Sequence, residues 1–71
     1  ELPEPSMVIL TVFNVRGRVV ATLEQAEKAR GRYEIKWGGL DQSGRTVSTG
    51  VYFARLQAGN YHKTIKMVYL R

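Results

Sequence analysis

His62 is the single histidine of the chain, and a search for a general base starts there. It stands just after the turn residues Ala58-Gly59-Asn60 and reads as a solvent-facing strand residue. Nucleophilic catalysis needs a base held against a nucleophile, and perturbed groups sit in clefts among partners; neither pattern surrounds His62. The hydroxyl candidates Ser6, Ser43 and Ser48 lack the strand–turn–helix setting of a nucleophile elbow. Glu24 and Glu27 are spaced to share one face of a helix. Lys28 and Arg30 lie among them, so they read as a solvated charge cluster rather than the carboxylate pair of a glycosidase. The sequence has 0 cysteines, hence no thiolate nucleophile and no disulfide framework, and it has no histidine pair for zinc. Gly38–Gly44 offers one carboxylate, Asp41, where a calcium loop needs several oxygen donors at alternate positions. A plain turn is the reading there. No catalytic residue, metal ligand or cofactor is expected, and the chain reads as a non-enzyme.

Two other chemistries are recognition chemistries. Trp37 with Tyr33, Tyr52, Tyr61 and Tyr69 would make a sugar-stacking platform if exposed, and a β-sandwich is a common scaffold for one. Trp37, however, alternates in register with Ile35 and Tyr33, which assigns it to the core. Tyr61, near a loop, is the better exposed aromatic. The chain also carries 11 Lys+Arg against 6 Asp+Glu, net +5, which favours acidic partners. Arg16, Arg18, Arg32, Lys36, Arg55, Lys63 and Lys66 are scattered singly rather than clustered as in a nucleic-acid tail. Arg32, Lys36 and Lys66 fall on outward registers and read as a solvated face that keeps sheet edges from pairing. No nucleic-acid partner is expected; a polysaccharide remains a candidate.

The elements that must position these groups are short. The 71 residues, 44% hydrophobic and 24% charged, suffice for one small globular domain. No apolar run approaches the roughly 20 residues of a membrane helix. Glu1–Ser6, with Pro3 and Pro5, reads as an extended linker from an upstream domain, and residues 7–71 as the domain itself. Met7–Phe13 is the first strand, with Val8, Leu10 and Val12 on one face. Asn14-Val15-Arg16-Gly17 is a turn, with Asn14 as its cap and a positive φ at Gly17. Arg18–Leu23 is the second strand. Glu24–Arg30 reads as a surface crossover with one helical turn. Arg32–Trp37 alternates strictly and is a half-buried strand. Asp41–Gly44 is a β-turn, Thr46–Ser48 a short strand, Val51–Gln57 a strand after Gly50, and Ala58-Gly59-Asn60 a three-residue hairpin loop. Tyr61–Leu70 is the last strand, apolar on both faces over Met67–Leu70, which suits a partner surface. Six or seven short antiparallel strands point to a β-sandwich.

Four phrases in order carry a resemblance. They are Val12–Leu23, Gly31–Trp37 followed by Gly39, Asp41 and Gly44, then Ser48–Gly59, and finally Lys66–Arg71. Together they resemble the C-terminal sorting domain recognised by the type IX secretion system, type A. They are also similar to the immunoglobulin-like domain of the flagellar hook-cap assembly protein. Gly38 departs from the pattern, standing where those families have Asp or Asn. The resemblance implies a small immunoglobulin-like sandwich, with Gly17, Trp37, Gly44, Gly50 and Tyr52 as structural motif residues. It implies a non-catalytic C-terminal module of a larger exported bacterial protein, located at the cell surface or outside the cell. Sorting and surface attachment would be its role, with Lys66, Met67, Val68, Tyr69, Leu70 and Arg71 recognised by the secretion and attachment machinery. Two alternatives stand beside it: a carbohydrate-binding accessory module of a secreted glycoside hydrolase, and a structural assembly domain.

Overall fold

In the computed structural model, residues 5–28 and 37–71 are described. They form an all-β fold of four strands: β1 (Ser6–Asn14), β2 (Val19–Lys28), β3 (Gly50–Ala58) and β4 (Tyr61–Tyr69). The strands make one antiparallel sheet in the order β2-β1-β3-β4. β1 and β3 are therefore central, and β2 and β4 are the edges.

Alternation decides which side chains meet. Val8 and Val12 of β1 stand opposite Ala58 and Ala54 of β3, and Tyr52 stands opposite Met67 of β4. These residues share the inner face, where Val8, Val12, Ala21, Tyr52, Ala54 and Ala58 are buried. Small alanines at the inner positions let the covering segment approach the sheet closely. Val47 comes from that segment and closes a cluster with Val12 and Tyr52.

β2 differs from the expected second strand. The segment Glu24–Arg30 was expected to leave the sheet as a crossover with a helical turn; instead β2 continues to Lys28, pairing Leu10 with Glu24 and Ser6 with Lys28. Helix formers in so short a stretch carry weak propensity, and the N-terminal half of β1 needs a hydrogen-bonding partner. The pairing register shifts between Leu10 and Thr11 and again between Val12 and Phe13. The residues skipped are Leu23 and Val20, and both pack against the Val12–Val47–Tyr52 cluster. A bulge re-aims a side chain in this way, so β2 is apolar-inward where simple alternation fails.

Two further expectations change. The β3–β4 loop is two residues, not three, because Ala58 pairs directly with Tyr61. Gly59 takes φ +60 and Asn60 does not take a positive φ, the pattern of a two-residue turn with Gly first. The strand expected at Thr46–Ser48 is reduced to one bridge, Leu40 to Thr46. The strand expected at Arg32–Trp37 lies outside the described residues except for Trp37.

Two turns are built alike. Asn14 Oδ1 accepts from the backbone N–H groups of Arg16 at 2.9 Å and Arg18 at 3.0 Å. Asp41 Oδ1 accepts from those of Ser43 and Arg45, both at 2.9 Å. In each, the Gly three residues on donates to the Asn or Asp carbonyl and holds a positive φ, +80 at Gly17 and +84 at Gly44. The shared pattern, Asn or Asp, two residues, Gly, Arg, is thus a local program for a type I turn followed by a left-handed residue.

Candidate recognition surface

The end of β4 is anchored from the inside. Trp37 meets Tyr52 edge-on at 5.2 Å between ring centroids and Tyr69 at 5.6 Å. Its indole N–H donates to the Leu40 carbonyl at 2.9 Å, and the Tyr52 hydroxyl donates to the Ser48 carbonyl at 2.7 Å. The phenol end of Tyr69 lies against Gly39, so closely that a Cβ there would overlap its Cε1, Cζ and hydroxyl oxygen. Gly39 also holds φ +75, a conformation L side chains rarely adopt. After β4, the Arg71 backbone N–H donates to Thr49 Oγ1 at 3.0 Å.

These contacts divide the terminal six residues into two sets. Met67 and Tyr69 are half-buried and pack on the core cluster. Lys66, Val68, Leu70 and Arg71 are exposed, Val68 by 65% and Leu70 by 74%. Lys66 stands opposite Phe53 and Val68 opposite Val51, so both belong to the outer face of the sheet. Gly50 pairs with Tyr69, and no atom crowds the position of a Cβ there.

The outer face is more apolar than sequence reasoning anticipated. Val19, Phe13 and Phe53 form one row across β2, β1 and β3, with the Val51–Val68 pair beside it. Val19 and Val68 are fully among the exposed hydrophobic residues, and Phe13, Phe53 and Val51 are half-buried. The signal was present as unbroken apolar runs, Met7–Leu10 and Val51–Ala54, which supply hydrophobic residues to both faces of a strand.

The other residues singled out for chemistry are not brought together. His62 stands exposed on the outer register opposite Gln57. Glu24 stands opposite Leu10 and Glu27 opposite Met7, and in a strand such odd spacing puts them on opposite faces. The helical-face reading of that pair is therefore corrected, and Glu24 is instead paired with Lys28 at 3.0 Å. Asp41 is committed to its turn. Among the described residues there is no group of three or more His, Cys, Asp and Glu placed to hold a metal ion. An open depression of about 510 Å³ lies between the two Asx turns, lined by Asn14, Arg18, Asp41, Gln42 and Tyr52 among others. It holds no His, and both capping side chains are already used by backbone N–H groups. No helix among the described residues is long and apolar enough to cross a membrane.

The described residues thus make an all-β antiparallel sheet with two Asx-capped turns and an exposed end to its last strand. The family model of the FlgD Ig-like domain matches residues 1–62, and the chain belongs to that family. Neither the curated proteins nor the solved structures compared with it give a match.

Proposed function

We propose that the chain is a non-catalytic module of a larger exported bacterial protein, recognised by secretion and surface-attachment machinery. β4 and the residues after it act as the reading head. The observation that carries this reading is the division of Lys66–Arg71: Met67 and Tyr69 fix the segment to the core, and Lys66, Val68, Leu70 and Arg71 stand free of it. A sorting signal needs that combination, because a folded β-domain must present one fixed, accessible strand. The reading includes the finer fold, a sandwich of six or seven strands. It also includes an upstream domain docked near the N-terminus and a place outside the cell or on its surface. The test is export of a reporter carrying residues 1–71 behind an ordinary export signal, in a bacterium with type IX secretion. Surface fluorescence that depends on Lys66–Arg71 supports sorting; periplasmic retention with and without them refutes it.

The family match favours a second reading, a structural assembly domain. It requires specific self-association or docking, visible as a concentration-dependent mass in analytical ultracentrifugation. A polysaccharide platform has less support, since Tyr52 and Tyr69 both pack on Trp37 and, of the platform's described residues, Tyr61 is the one that stands exposed, by 50%.

A further inference from the structure

The two edges of the sheet are finished differently. At the β2 edge, the Gln42 backbone N–H donates to the Val20 carbonyl at 2.9 Å, and Gln42 Oε1 accepts from the Thr22 N–H at 2.9 Å. One residue of the Asp41 turn thereby occupies two edge groups of β2. At β4, no comparable bond to the strand's outward groups is found among the described residues. Ala58 and Tyr61 flank a two-residue loop and form its closing hydrogen-bonded pair. Alternation then turns the N–H and C=O of Tyr61, Lys63, Ile65, Met67 and Tyr69 toward β3. Those of His62, Thr64, Lys66 and Val68 point away from the sheet, a row of donors and acceptors with no partner among the described residues.

Charge sets what this row accepts. All six acidic residues lie at or before Asp41. The β3–β4 hairpin carries Arg55, Lys63 and Lys66, each exposed, with no carboxylate of its own. Lys63 projects on the inner register and Lys66 on the outer one, so the edge is cationic on both sides. Beside the lysines stand Ile65, 49% exposed, and Val68. Like charges opposite one another destabilise a strand pair and opposite charges stabilise it. A second copy of β4 is thereby disfavoured, and an acidic strand is favoured.

We propose that β4 is completed by an extended acidic segment of a partner protein, which adds to the free edge as a fifth strand. Its backbone takes up the groups of His62, Thr64, Lys66 and Val68. Its carboxylates stand beside Lys63 and Lys66, and its apolar residues beside Ile65 and Val68. This rests on the sorting reading in that β4 is the strand the machinery would read, and it adds the chemistry of the reader.

The test uses the 71-residue chain and a capped nine-residue peptide repeating Val-Thr-Glu, whose period of three puts carboxylates and valines on both faces of an added strand, with a Val-Thr-Lys counterpart as control. Titration is followed by amide chemical shifts and hydrogen exchange. The acidic peptide is expected to bind about tenfold more tightly than the basic one, to slow exchange at His62, Thr64, Lys66 and Val68, and to weaken with added salt. Thr64→Pro removes an outward N–H without touching the β3 ladder and is expected to abolish binding in a folded chain. Should that variant unfold, Lys63→Glu/Lys66→Glu decides the matter independently, since it is expected to reverse the peptide preference. Equal affinity for both peptides, or binding without protection of those four amides, overturns strand addition. Export that depends on Lys66–Arg71 alongside no peptide binding overturns strand addition alone. Edge binding in a chain whose export ignores those residues overturns the sorting reading alone.

Discussion

Substituting Gly39 by Ala tests how the end of β4 is held. Two costs coincide at this residue. A Cβ at φ +75 carries a left-handed penalty of about 1–2 kcal/mol. The same Cβ would overlap the phenol end of Tyr69, and overpacking of a tight contact costs about 1–3 kcal/mol more. The sum, about 2–5 kcal/mol, rivals the whole stability of a small domain, about 5 kcal/mol at the lower end of the usual range. Gly44→Ala is the control. It has nearly the same φ, +84, but open space around the Cβ position, so only the first cost applies, about 1–2 kcal/mol. Urea unfolding followed by the fluorescence of Trp37, which lies against Tyr69, measures both. Adding Tyr69→Ala to Gly39→Ala removes the clash and leaves the backbone cost. The double variant is therefore expected to lose about 1–3 kcal/mol less than the sum of its single variants. Equal losses at Gly39 and Gly44, or strict additivity with Tyr69→Ala, would refute the packing of Tyr69 on Gly39 as the anchor of β4.

Other outcomes follow from the same contacts. Asn14→Ala and Asp41→Ala each leave two backbone N–H groups without their acceptor and are expected to cost about 1–2 kcal/mol apiece, additively, by urea titration. Gln42→Ala removes the acceptor for the Thr22 N–H; a loss of about 0.5–1.5 kcal/mol and faster amide exchange at Thr22 are expected. Met67→Ala is expected to destabilise by about 1–3 kcal/mol because the side chain packs, half-buried, on the core cluster. Val68→Ser, on the same strand but exposed, is expected to stay within about 0.5 kcal/mol of the parent.

Local chemistry was the most legible part of the sequence. Asn14 with Gly17, and Asp41 with Gly44, announce their turns because one side chain and one glycine suffice to make them. The inward alternation of Val8, Leu10 and Val12 announced β1. The long-range parts were hidden. β2 runs past Leu23 because β1 needs a partner, and nothing in Glu24–Lys28 itself says so. The bulges at Val20 and Leu23 break the alternation that would have carried the expected strand, Arg18–Leu23, on to Lys28. Gly39 looked like ordinary loop punctuation, since its constraint comes from Tyr69, thirty residues away in the chain. The division within Lys66–Arg71 depends on which register faces Trp37, which alternation alone leaves undetermined when both faces are apolar. The free edge of β4 becomes visible only once strand order is known.

The central claim, that the outward residues of the last strand are read by export machinery, has a direct measurement. A triple variant, Lys66→Ser/Val68→Ser/Leu70→Ser, leaves Met67, Tyr69 and the aromatic anchor in place. Its thermal unfolding is compared with the parent's, and both are fused to an export signal and a fluorescent reporter in a bacterium with type IX secretion. A variant that folds as stably as the parent but stays in the periplasm, while the parent reaches the surface or medium, is the expected result. A folded variant exported as well as the parent would contradict the account.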